Sequence, residues 1–265
     1  MSDEPPMDLD VAACLADAYG VKPPRVLVDL AQTAFVHATR EGFVNDTDYL
    51  SYGGLGFDLA GFAQRPVWPD CEPHSYPCTP PELFVFGSPG VDGIHYGFLV
   101  YAAELQPYPF AALNPMSTRS GVRALGATDD ERGALLGPGR SGAAVFDPAW
   151  PAVEPVVPEG WRYVTTSDGV GVLAPKEAFG DRPMVDVGYY AALAPVERAA
   201  TRALMQGHPA TSLRVLREFF ANNHQGDAVS ARAVLRLMAQ AYRALDRPLL
   251  ADVALGHAQR HWPKG

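Results

Sequence analysis

Only three cysteines and three lysines occur among the 265 residues. So few thiols, and an odd number of them, exclude a disulfide framework and suit a reducing compartment. No apolar run is as long as a membrane span. The opening residues, MSDEPPMDLD, have neither the basic nor the apolar part of a secretory signal. Cytoplasmic residence without membrane association is therefore the expectation. Also missing are a G-x-S-x-G elbow, a G-x-x-x-x-G-K-[ST] phosphate loop and a metal-protease helix. With none of these motifs, the chain is expected to be neither an enzyme nor a cofactor protein.

What is present describes a globular chain, with 48% apolar and 19% charged residues. The length suits one large or two ordinary domains. Eighteen arginines, with abundant alanine, glycine and proline, are the composition of a GC-rich bacterial genome. The net charge of −9 is unevenly spread: residues 1–189 carry 25 acids and 11 bases, whereas residues 190–265 carry 5 acids and 10 bases. An acidic front repels nucleic acid and steers basic proteins towards it; the plainer alternative is that it keeps the chain soluble.

Proline marks a division. Residues 61–160 hold 15 of the 25 prolines and residues 196–265 only three. The middle reads as short strands joined by turns and the end as helices. Helices are expected at Leu9–Tyr19 and Arg25–Glu41. Strands are expected at Phe84–Phe86, His95–Tyr101, Ala143–Phe146, Trp161–Thr165 and Gly171–Leu173. The last two flank Ser167-Asp168-Gly169, an Asp-Gly hairpin signal.

Beyond Tyr190 the period changes to that of a helix. Leu213, Leu216 and Phe220 form one stripe, Leu235, Met238, Tyr242 and Leu245 a second, and Leu250, Val253, His257 and Trp262 a third. Turns at Gly207–Pro209, Gln225–Asp227 and Asp246–Pro248 separate them. The fold class is thus α+β, with leading helices, a mostly antiparallel sheet and a helical end.

The most distinctive stretch is YPCTPPELFVFGSPGVDGIHYGFLVY, Tyr76 to Tyr101. A strand at Leu83–Phe86, a turn rich in glycine with Pro89 and Asp92, and a strand from His95 make a β-hairpin or β-corner. This strand-turn-strand pattern resembles the SUKH superfamily of bacterial toxin-immunity proteins and fungal cell-wall assembly regulators. Leu15–Gly20, Pro23–Pro24 and Val26–Ala34 are similar to that family's opening helix, "LP" turn and second helix, and Tyr108–Asn114 to its "YPxxxLxP" segment. The likeness covers roughly residues 9–185. It implies a SUKH-like α+β domain over 1–185, followed by a helical unit over 190–265. Ala239–Pro263 of that unit resembles a tetratricopeptide-type hairpin. About one and a half such units are visible, fewer than a free array needs, so this end is expected to pack on the front domain or on another copy.

Several residue groups can carry chemistry. Cys71, His74 and Cys78 have donor types and spacing suited to zinc, with Asp70 or His95 as a fourth ligand. Partly buried free thiols are the preferred reading, ahead of zinc or a Cys71–Cys78 disulfide. Gly137, Gly139 and Gly142 match G-x-G-x-x-G, but the predicted helix precedes the motif and the strand follows it, the reverse of a dinucleotide site. His257 and His261 lie four residues apart; His257 falls on the apolar stripe and reads as a core residue.

Asp92, His95 and Tyr96 converge on the turn, yet alternation along the strand divides them between faces. The aromatic residues of the hairpin region either line a groove or fill the core, and strand positions favour the core. The resemblance implies a non-catalytic binding protein. Its leading form is an immunity protein holding a basic toxin through Tyr76, Glu82, Asp92, His95 and Tyr96. The alternatives are a small-ligand or metal-binding regulator near Cys71, and a scaffold acting through the helical end.

Overall fold

A computed structural model of the protein describes residues 10–25, 27–29, 32, 50–52, 55–57, 76–87, 94–115, 121–126, 154–181, 183–223 and 227–262. Asp92, Cys71, His74, the Gly137–Gly142 motif and the expected strand at Ala143–Phe146 lie outside these residues, as does much of the expected helix Arg25–Glu41.

Helix α1, Val11–Tyr19, begins where the Asp10 carboxylate accepts a hydrogen bond from the Ala13 amide at 3.0 Å. A short hairpin, β1 (Leu50–Tyr52) and β2 (Leu55–Phe57), follows. Next comes a four-stranded antiparallel meander: β3 (Leu83–Gly87), β4 (His95–Leu99), β5 (Phe110–Leu113) and β6 (Val122–Gly126). The β3–β4 pair is the one read from the sequence, with Leu83 opposite Leu99 and Phe84 opposite Phe98. A second hairpin joins β7 (Trp161–Val164) to β8 (Val172–Pro175) across the Ser167-Asp168-Gly169 turn.

A 3-10 turn at Lys176–Ala178 and four α-helices complete the described chain: α2 (Leu193–Met205), α3 (Pro209–Asn223), α4 (Ala228–Ala244) and α5 (Pro248–His261). Consecutive members pack against each other, which makes two successive helical hairpins. The architecture is α+β.

Alternation on the strands builds two apolar layers. Phe84, Phe86, Tyr96 and Phe98 point into one cluster with Leu15 and Tyr19 of α1 and with Leu213, Leu216, Leu235 and Met238 of the helical end. Leu83, Val85, Leu99 and Leu113 point the other way, towards Val170 and Leu173 of the β7–β8 hairpin. Both faces of the sheet are therefore covered, and every residue of β4 is buried. β8 joins the layers, because Val172 and Ala174 belong to the first cluster and Leu173 to the second. One core thus runs unbroken from the sheet into the helices.

Gly97 permits this packing. A Cβ there would come within 2.6 Å of the Phe84 carbonyl oxygen and 2.8 Å of Leu83 Cδ1, closer than a methyl group tolerates.

Candidate functional site

The hairpin residues expected to meet a partner are mostly inside the protein. Glu82, His95 and Tyr96 are buried, because helices cover one face of the sheet and the β7–β8 hairpin the other. Tyr96 is 6% exposed, and burial pushes its phenol up to about 12. His95 stacks on Tyr76, with ring centroids 4.5 Å apart and planes inclined by 14°. Tyr76 alone of these four retains partial exposure. Glu82, His95 and Tyr96, expected as anchors for a partner, are thus packed within the fold and offer little surface.

Cys78 is a free, half-buried thiol that burial pushes up to about 11, so it stays protonated at neutral pH. Among the described residues no three His, Cys, Asp or Glu side chains gather as metal ligands.

Glu82 instead belongs to a buried ionic cluster that sequence reasoning missed. The Arg217 guanidinium on α3 is 1% exposed and donates from Nη1 to Glu82 and from Nη2 to Asp168. Burial opposes the charge on Arg217; the carboxylates of Asp168 and Glu82 outweigh it and hold its pKa well above the ordinary value. Asp168 also fixes its own turn, accepting from Thr166 Oγ1 at 2.5 Å and from the Val170 amide at 3.1 Å. Its carbonyl accepts from the Val122 amide at 2.9 Å and so reaches β6. The phenol of Tyr242, fully buried beside the same charges, is raised well above its usual pKa by burial and then by Glu82. The cluster welds the entry to β3, the β7–β8 turn and α3 together. A signal was present in the sequence: Arg217 occupies a helical position between Leu213 and Phe220, on a stripe otherwise apolar.

His257 is where its stripe placed it, in the core. Its Nε2 lies 3.3 Å from the Pro77 carbonyl, and its ring packs beside His261 and Trp262. Burial, then the neighbouring charges of His261 and Arg260, lower its pKa to about 3. Burial and Arg260 bring His261 to about 4. Both rings are neutral at pH 7.

Two surface features remain. A small open cleft lies between β7, the segment 179–187 and one face of α3. Next to it, Tyr189 and Tyr190 stand on a turn, 61% and 93% exposed, with rings edge to face at 4.8 Å. That turn is held from below. The Asn222 amide donates to the Val187 carbonyl at 3.1 Å and the Asn223 amide to the Gly188 carbonyl at 3.0 Å. Each amide also bonds a carbonyl one turn back on its own helix, Glu218 and Phe219 respectively. Met184, on the same segment, is fully exposed. The sequence signal for this feature is the Gly-Tyr-Tyr step between sheet and helices.

Set beside known proteins, the chain matches no protein-family model and no curated protein.

Proposed function

We propose that this chain is a non-catalytic protein-binding module of the SUKH immunity kind, docking a basic protein toxin. The observation carrying this reading is the exposed tyrosine pair, which follows directly on Val187 and Gly188, whose carbonyls Asn222 and Asn223 tie to α3. Large exposed aromatic rings gain nothing by folding, whereas rigid aromatic side chains anchor interfaces at little entropic cost. The charge of the segment supports a basic partner. From Glu177 to Tyr190 the charged residues are Glu177, Asp181, Arg182 and Asp186, three acids to one base, and the first unit as a whole is strongly acidic. Such a surface speeds encounter with a cationic protein and makes binding salt-sensitive.

The test is titration calorimetry against basic bacterial effector domains, with cell survival under co-expression as the biological readout. A stoichiometric complex is expected, weakening steeply between about 0.05 and 0.5 M salt. Tyr190→Ala should lower affinity about tenfold or more while leaving the melting temperature unchanged. Absence of a complex at low salt with every effector, or full affinity in the Tyr189→Ala/Tyr190→Ala double variant, refutes the reading.

A further inference from the structure

We infer that the Tyr189–Tyr190 turn, with the carboxylate of Asp186 at its foot, is a site for an arginine side chain of the partner. This inference rests on the docking reading and deepens it by naming the group that docks.

The two rings meet edge to face, with centroids 4.8 Å apart and planes at 86°. An aromatic face is negative and its edge positive, so the pair turns electron-rich faces outward. At 93% exposure nearly the whole Tyr190 ring meets solvent, and Tyr189 is 61% exposed. A cation resting on such a face is held by the ring quadrupole.

Asp186 supplies the counter-charge. It is exposed, and its Oδ1 accepts from the Gly188 amide at 2.9 Å. That bond pins the carboxylate to the residue preceding Tyr189 and leaves Oδ2 for an incoming donor. Among the described residues no cation pairs with Asp186. It is the only charged residue from Pro183 to Val196, and the charges on either side come as adjacent opposites, Asp181 with Arg182 and Glu197 with Arg198. The turn is therefore locally anionic. A phosphate or an acidic segment is repelled there, and a purely apolar segment would bury Oδ2 without a partner.

Arginine suits the site better than lysine. A guanidinium is planar, so it stacks on a ring while its in-plane N–H fork reaches a carboxylate; an ammonium is more strongly hydrated and makes no such stack.

The experiment is an NMR titration of the full chain, labelled in its tyrosine rings, with an acetylated Gly-Arg-Gly amide and its lysine and citrulline counterparts at low ionic strength. The arginine peptide should shift the Tyr189 and Tyr190 signals saturably. Lysine should bind about threefold more weakly, and citrulline, which keeps the shape without the charge, about tenfold. Tyr190→Leu keeps apolar bulk and should lower the affinity about threefold. Asp186→Asn keeps an acceptor for the Gly188 amide and should do the same. Both side chains are exposed, so the melting temperature should not move. Lysine or citrulline binding as tightly as arginine, no shift at Tyr189 and Tyr190, or undiminished affinity in either variant overturns the inference. An effector complex lost in the Tyr189→Ala/Tyr190→Ala variant yet intact in Tyr190→Leu and Asp186→Asn keeps the docking reading and strikes only the arginine.

Discussion

Arg217 and His257 are both buried, the first as a paired cation and the second as a neutral ring. Replacing Arg217 with methionine leaves Glu82 without its cation in a site where water cannot replace it. The expected loss is roughly 3–5 kcal/mol in denaturant unfolding. Adding Glu82→Leu should recover part of that loss, because the more deeply buried of the two stranded carboxylates is then gone while Asp168 remains, and a double-mutant cycle measures the difference. For His257 the folded pKa is depressed, so its stabilising contribution is complete above about 6.5. Below that the unfolded chain takes up a proton that the native ring refuses until about pH 3. Stability should therefore fall by roughly 2 kcal/mol between pH 7.5 and 5 from this residue alone. His257→Gln should flatten that slope in urea titrations. The apolar stripe made His257 legible as a core residue. The partners of Arg217 were not legible, since they lie 135 and 49 residues away and no local pattern encodes such distances.

Among the elements, those with bulky periodic side chains could be read directly. α3, α4 and α5 bury the stripes anticipated for them except Leu245 and Trp262, which are half-buried just past the ends of α4 and α5, and the β3–β4 and β7–β8 pairs follow from β-rich runs around turn residues. α2 was missed because it buries only Val196, Ala200 and Ala203; small residues mark a helical face weakly. β5 reads Phe-Ala-Ala-Leu, whose alanines favour helix in isolation, and only pairing with β4 and β6 makes it a strand.

Two substitutions probe the elements. Gly171 has φ +77°, and a Cβ there would come within 2.3 Å of the Tyr163 ring. Gly171→Ala should loosen the β7–β8 hairpin and cost about 2 kcal/mol or more, seen as faster amide exchange at Val172 and Leu173. Asp227 caps α4, accepting from the Val229 and Ser230 amides at 2.9 Å each. Asp227→Ala should lower stability by about 1 kcal/mol in chemical denaturation.

At the scale of the molecule, the continuous core explains how so few helical hairpins suffice. A free-standing helical array hides its ends with capping repeats, whereas here the sheet and α1 cover the apolar side of α3 and α4. Heating should accordingly give one calorimetric transition, with the calorimetric and van't Hoff enthalpies equal. Removing residues 190–265 would strip the cover from Phe84, Phe86 and Phe98, so the remaining chain should bind a hydrophobic dye strongly. Partner binding by that fragment would then say little about where the partner docks. Point variants on the Tyr189–Tyr190 turn are the cleaner probe, because they leave the core intact.

The tie between Arg217 and Glu82 also orders events during synthesis. A ribosome delivers the carboxylate of Glu82, just ahead of β3, long before it delivers the guanidinium that neutralises it, and α3 must clear the exit tunnel before the two can meet. A nascent chain stalled short of residue 217 is expected to stay protease-sensitive throughout the sheet, whereas one stalled after α5 has emerged should resist digestion. Maturation of the front half is therefore scheduled by the arrival of the rear.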